Sequence, residues 1–279
     1  MGGSFAGFFY HLRHFSHLRI HLRKKASRNM ILYPDSYLFD NENKLEINGQ
    51  VIHHQHAWLM SIGDEELDLM FENGWRRAGN IFYRYSFDTH EDIVTGGPKK
   101  VLPLRIPVNA FTLTKSQSKI WRKNAEFSWN LVSGRPTDAH HELFLLHRDR
   151  FERNAPDSIY DFITTTHESL PTRGLLLDVY DEEVLIASSL IDHTSKSLSS
   201  IYAMFHPDYR SFSLGVHTML LEIYAARQLG ITFYYPGFAH HESSFYDYKK
   251  RFNALQWLDW KDAVDWLPYE RLREKTEKE

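Results

Sequence analysis

The chain has 279 residues, 33 Lys and Arg against 36 Asp and Glu, and no cysteine. With 42% hydrophobic and 25% charged residues it has the composition of a folded, water-soluble protein rather than a disordered one. The missing cysteine excludes disulfides, thiolate catalysis and Cys-ligated zinc or iron–sulfur centres. No uncharged apolar run approaches the ~18 residues of a membrane span.

Residues 1–29 form a basic leader. It carries Arg13, Arg19, Arg23, Lys24, Lys25 and Arg28 and no acid, so the remainder has 27 basic and 36 acidic residues, a charge of −9. Such a segment fits a transit peptide, a nucleic-acid or anionic-surface contact, or an unfolded extension before a start at Met30. Folded patterning begins at Ile31.

Asp64 to Asn73 reads as a short helix, with Leu67, Met70 and Phe71 at i, i+3 and i+4, Asp64 as cap and Gly74 as stop. Asn80 to Phe87 alternates as a half-buried strand. Asp88 to Lys100, with Gly96, Gly97 and Pro98, reads as a loop, and Val101 to Leu113 as a further strand. Thr137 to Asn154 is predicted helical with Leu143, Leu146 and Phe151 on one side, and Asp157 to Thr166 continues that helical part. Gly174 to Tyr180 and Glu183 to Asp192 form a hairpin across an acidic turn. Ser197 to Phe205 is a third strand, His206 to Phe212 a loop, Ser213 to Leu229 a helix ended by Gly230, and Ile231 to Tyr235 a last strand.

Strand, loop, helix and parallel strand after antiparallel hairpins make a βαβ unit on a mixed sheet. The expected class is α+β, with the order of GNAT-type acyltransferases. In that order the N–H groups at the start of the Ser213–Leu229 helix form an anion cradle at Arg210, Ser213, Leu214 and Gly215. The competing reading is that Ser213 only caps a core helix and Gly215 only packs on the sheet.

Five strings in order carry a resemblance to the arginyl-tRNA–protein transferases and their bacterial leucyl-transferring relatives: GWRRAGNIFYR (Gly74 to Arg84), LRIPVNAF with SQSKIWRKN (Leu104 to Asn124), LIASSLID with LSSIYAMFHPDYRSFSLG (Leu185 to Gly215), YYPGF (Tyr234 to Phe238) and YKKRF (Tyr248 to Phe252). The resemblance implies a cytoplasmic enzyme with a GNAT-like C-terminal half. It would move Arg or Leu from aminoacyl-tRNA to the α-amine of acceptor proteins with destabilising N-termini, marking them for degradation. With no cysteine to hold the family's thiolate-bound metal, no cofactor is expected. The implied domains are 30–125 and a GNAT-like 126–268, followed by a charged tail at 269–279.

The positions carried over for substrate or tRNA contact are Arg76, Arg77, Tyr83, Arg84, Arg105, Ser116, Gln117, Lys119, Arg122, Lys123, Asn124, Arg210, Ser213, Leu214, Gly215, Gly237, Tyr248 and Lys249. Arg76, Arg77 and the Lys119, Arg122, Lys123 cluster would meet phosphates or an acidic acceptor side chain. Tyr248 and Lys249 would close on the terminal adenosine. The catalytic candidates are Ser199, Ser200 and Tyr202, which offer hydroxyls, and Asp208. The residues single out no general base: Asp178, Asp192, Asp208 and solvent water all remain. The chemistry suits a site without a nucleophilic side chain, because an α-amine attacks an activated ester and needs positioning, proton removal and an oxyanion partner.

The chain departs from the family at Tyr85 to Lys100, where the usual cysteine cluster is absent, at His206 in the acid-Pro-Asp loop, and at Pro236. The histidine groups are His53, His54 and His56, His140 and His141, and His240 and His241; neighbouring residues point in different directions, so such a pair seldom chelates one ion, which argues against a metal centre. Two other function classes fit the same pattern, an acyl-CoA-dependent N-acyltransferase and a non-catalytic protein that binds N-termini.

Overall fold

A computed structural model describes residues 37–39, 45–47, 50–52, 54–88, 99–133, 135–151, 156–163, 172, 174–260, 265–270 and 272. The basic leader, Met30, Ile31, His53, the Gly96-Gly97-Pro98 loop, most of the 269–279 tail and the ends of the two helical readings at 152–155 and 164–166 lie outside them.

The first described strands are β1 (Tyr37–Phe39) and the antiparallel pair β2 (Leu45–Ile47) and β3 (Gln50–Ile52). β4 (His54–Trp58), β5 (Arg76–Ala78) and β6 (Ile81–Tyr85) join β1 in a small sheet of order β1-β4-β6-β5. Helix α1 (Asp64–Glu72) lies between β4 and β5 and buries the expected Leu67, Met70 and Phe71. Its N-cap is Gly63, without a side-chain bond, so Asp64 occupies the first turn instead of capping it. An acid there still favours the helix dipole.

The large sheet contains β7 (Phe87–Asp88), β8 (Lys99–Pro107), β9 (Ser128–Val132), β10 (Gly174–Asp181), β11 (Val184–His193), β12 (Ser197–Phe205), β13 (Phe233–His240), β14 (Gln256–Asp259) and β15 (Asp265–Pro268). The order is β15-β14-β8-β13-β12-β11-β10-β9, with β7 on β8. The hairpin β10–β11 and the parallel pair β12–β13 are those read from the sequence. β8, which comes early in the chain, sits between β13 and β14 in this sheet. It ends at Pro107, and Val108–Ala110 is a 3-10 turn rather than a continued strand.

Helix α2 (Lys115–Lys123) begins at a Thr114–Gln117 capping box. Helix α3 (Asp138–Arg148) buries His140, Leu143, Phe144 and His147, the i, i+3, i+4, i+7 face. Leu146, expected on that face, is 42% exposed. Helix α4 (Leu214–Gln228) connects β12 to β13. One sheet face carries α4, the other α3 with Ile159 and Phe162. Strand β11 is buried from Leu185 to Asp192, as a strand covered on both faces must be. The described residues contain no helix long and apolar enough to cross a membrane.

Candidate active site

The site begins where the parallel ladder stops. β12 and β13 pair only at Ser197–Phe233, Leu198–Tyr234 and Ser199–Tyr235. Beyond that point β12 follows β11, from Ser200 to Phe205, while β13 turns to β8 through a register shift between Tyr234 and Gly237. Pro236 has no N–H to give a ladder, and Gly237 holds φ +97°, a left-handed conformation that suits glycine. Between the diverging strands lies a cavity of about 340 Å³.

Arg76 spans the split. It enters from β5, and its Nη1 donates to Ser199 Oγ at 2.6 Å and to the Tyr235 carbonyl at 3.3 Å. Its Nη2 donates to the Ser200 carbonyl. The guanidinium therefore takes up carbonyls on both strands, so the ladder can end in the interior without stranding acceptors. A Cβ on Gly237 would lie 3.3 Å from Arg76 Nη2 and 3.3 Å from Lys249 Nζ, so two cations converge on a bare stretch of backbone. Lys249 donates to the Phe238 carbonyl at 3.1 Å and stands 4.9 Å from the centre of the Tyr246 ring. Burial, with Arg76 adding to it, lowers its ammonium to about 7, and Glu222 acts the other way.

Glu222 was not singled out in the sequence, although an acid in the middle of the apolar LGVHTMLLEIYAARQ helix is a visible signal. It is fully buried and accepts from Ser189 Oγ, from Ser200 Oγ at 3.2 Å and from the Tyr234 hydroxyl. Burial raises its carboxyl, and the three hydroxyls and Arg76 oppose that. Strand alternation explains the division: Ser199 and Tyr235 face the small sheet and Arg76, while Ser200 and Tyr234 face α4 and Glu222.

The other end of the cavity is the start of α4. Ser213, Leu214 and Gly215 line it, as does Arg210. Ser213 adopts φ +56° and makes no side-chain cap bond, so it is not a simple helix cap. A Cβ on Gly215 would meet the Phe205 ring at 3.3 Å. Arg150, absent from the sequence-based candidates, lines this end too, with its guanidinium 4.2 Å from the Phe205 ring centre and near enough to Arg210 to feel its charge. Its Nη1 reaches His147 Nδ1 at 3.0 Å. The remaining walls are apolar and aromatic, including Ile201, Met219, Tyr83, Tyr85 and Phe238.

The candidates divide clearly. Arg76, Tyr83, Ser200, Tyr202, Arg210, Ser213, Leu214, Gly215, Gly237, Tyr248 and Lys249 line the one cavity. Ser199 lies behind it, against Arg76. Tyr202 stacks on Phe162 at 4.0 Å between centroids, and burial raises its phenol, which keeps it protonated. Arg77 does not reach the cavity. Its Nε and Nη2 each lie 2.7 Å from Asp192, which also accepts from Thr172, and its Nη1 donates to the Gly79 carbonyl. This buried pair ties β5 to β11, so neither Arg77 nor Asp192 is available to a substrate. Asp178 is likewise engaged, with His140 at 3.0 Å and Ser188 at 2.7 Å.

Arg84 bonds Gln55 and the Asn73 carbonyl and lies 5.3 Å from the Trp75 ring. Arg105 bonds Gln256 and is sandwiched at 4.3 and 4.4 Å between Phe233 and Trp266. Ser116, Lys119 and Arg122 are exposed on α2, and Gln117 closes its cap. Lys123 and Asn124 brace the loop before α4 through the Ser211 and Phe212 carbonyls. Asp208 has a side chain 85% exposed, 3.9 Å from His206 and outside the cavity lining. A carboxylate so placed is solvated. Among the described residues, no group of three or more His, Asp or Glu is placed to hold a metal ion.

A mixed sheet split beside a helix start, with backbone and fixed cations converging on the gap, is an arrangement suited to acyl-group transfer. Residues 139–259 match the family described as arginine-tRNA-protein transferase, C terminus. An aspartate/glutamate leucyltransferase of Ruegeria pomeroyi is 30% identical over 204 residues, 71% of each chain. One of Leptospira interrogans is 26% identical over 70% of this chain and 75% of its own. The protein belongs to this family of aminoacyl-tRNA–protein transferases and is an enzyme. Among solved structures it is similar to FemX, with TM-score 0.42 and 11% identity over 70% of this chain and 65% of that one. It is also similar to L-PGS from Bacillus licheniformis, with TM-score 0.39 and 11% identity over 65% and 53%.

Proposed function

We propose that this enzyme transfers leucine from leucyl-tRNA to the α-amine of proteins that begin with Asp or Glu, and so marks them for degradation. The observation that carries the choice is the charge of the cavity. Among the described residues its lining includes Arg76, Arg150, Arg210 and Lys249 and no Asp or Glu. An arginyl donor would bring a guanidinium among these cations with no carboxylate to pair it, whereas a leucyl side chain can pack on Ile201, Met219 and Phe205. Arg76 suits the carboxylate of an acidic acceptor, and Arg150 with Arg210 suits the phosphates of the tRNA terminus.

In the reaction Arg76, fixed by three acceptors, is the cation aimed at the gap and stabilises the oxyanion of the tetrahedral intermediate. Ser199 and, through Ser200, Glu222 position it. Labelled leucine or arginine on charged tRNA, offered to peptides beginning with Asp, Glu, Arg or Lys, tests the reading. Leucine transfer to the acidic peptides is expected. Arginine transfer, or transfer of leucine to Arg and Lys peptides alone, overturns it.

A further inference from the structure

The transfer consumes an amine that reaches the enzyme largely as an ammonium, so some group has to take its proton. On the transferase reading, the geometry points to Lys249 as that proton acceptor. Among the described residues the cavity lining offers no carboxylate. Its tyrosines are phenols, which donate rather than accept. His147 Nδ1 is already engaged by the Phe205 N–H at 3.1 Å and Arg150 at 3.0 Å. His240 is turned to Asp88 through Nε2 at 3.3 Å, and its Nδ1 is enclosed. Among the described residues of the lining, Lys249 combines a place at the gap with a spare lone pair. A neutral amine uses one hydrogen for the Phe238 carbonyl and keeps its lone pair for a partner over Gly237.

The charged groups around it account for this use of a lysine. Arg76 from β5 repels the ammonium form, Glu222 from α4 favours it, and from its own turn the centre of the Tyr246 ring stands 4.9 Å from Nζ. Lysine's tendency to titrate when buried is what separates it from Arg76, which stays charged beside it. The proton balance closes. Neutral Lys249 takes one proton from the acceptor's NH3+. The freed lone pair forms a C–N bond to the ester carbonyl carbon, and the C–O bond to the tRNA ribose breaks. The second proton on nitrogen ends on the ribose oxygen, and Lys249 returns its own to solvent.

Single-turnover transfer over about pH 6 to 9, with wild type, Lys249→Arg and Lys249→Met, tests the assignment. The arginine variant keeps the cation but cannot take a proton. Wild type should show an inflection near 7, and both variants should lose it together with about 10²–10⁴-fold in rate. Reductive methylation of the intact wild-type enzyme, read at Lys249 by mass spectrometry, should half-saturate near the same pH, well below a reference peptide lysine. An arginine variant with the wild-type rate and profile, or methylation that follows the reference lysine, overturns the role. A wild type that transfers nothing from any charged tRNA, yet shows Lys249 methylated near neutrality, instead sinks the transferase reading on which the role rests.

Discussion

At Gly237 the absence of a side chain leaves room for Arg76 and Lys249 to approach the backbone. Gly237→Ala adds a methyl 3.3 Å from two cationic nitrogens at φ +97°. Backbone strain should lower stability by about 1–3 kcal/mol. Transfer should fall far more than melting temperature, because Arg76 and Lys249 must shift, and parallel rate and melting measurements separate the two effects. Arg77, one residue along from Arg76, behaves oppositely. Its pair with Asp192 has side chains 1% and 0% exposed. Arg77→Met leaves a buried carboxylate without its partner and should destabilise by about 3–5 kcal/mol in urea unfolding. Two adjacent arginines in one string thus divide between cleft and core. Strand alternation makes them point apart, but nothing in the RR pair itself says which way each one turns.

At the level of elements, the second half was legible because its signals are local. The β10–β11 hairpin, β12 and α4 follow from apolar runs, an acidic turn and a terminal glycine, and each ends within a few residues of its expected limit. Helix α3 was legible in place but not in orientation. Its sheet-facing side includes two histidines, which bond Asp178 and the Phe205 backbone, so counting leucines misplaced its face. The short strands β9, β14 and β15 gave no local signal strong enough to stand out, since their stability comes from neighbours distant in sequence. The same holds for α2. Its RKN end looked like a nucleic-acid contact, yet Lys123 and Asn124 fasten it to the loop before α4. Asn124→Ala removes bonds to the Ile120 and Phe212 carbonyls and should cost about 1–3 kcal/mol by urea unfolding. The loosened loop carries Arg210, so KM for charged tRNA should rise as well.

The whole molecule carries a pH dependence separate from catalysis. Burial, helped at His147 by Arg150, holds both His147 and His217 to about 4. The unfolded chain protonates each near 6.5, while the folded one resists until about 4. Their contribution to stability is therefore complete above about 6.5 and is lost as pH falls towards 4. At pH 5 the loss approaches about 2 kcal/mol for each histidine, because every tenfold change in a protonation equilibrium is worth about 1.4 kcal/mol. Urea midpoints at pH 7 and pH 5 measure it, and His217→Leu should reduce the difference by roughly half.

The central place of β8 also has a consequence for how the protein comes into being. Its partners lie far ahead in the chain: Leu104 pairs with Gly237 and Arg105 with Gln256. During synthesis at about 5–20 residues per second, β8 emerges roughly 8–30 s before the strand that completes its second edge. Until then an apolar VLPLRI segment with unpaired edges waits in the open, and the two walls of the gap have not yet been brought together. The candidate cleft is thus among the last parts to form. Nascent chains arrested before β13 should engage holdase chaperones strongly, and those arrested after β14 should not.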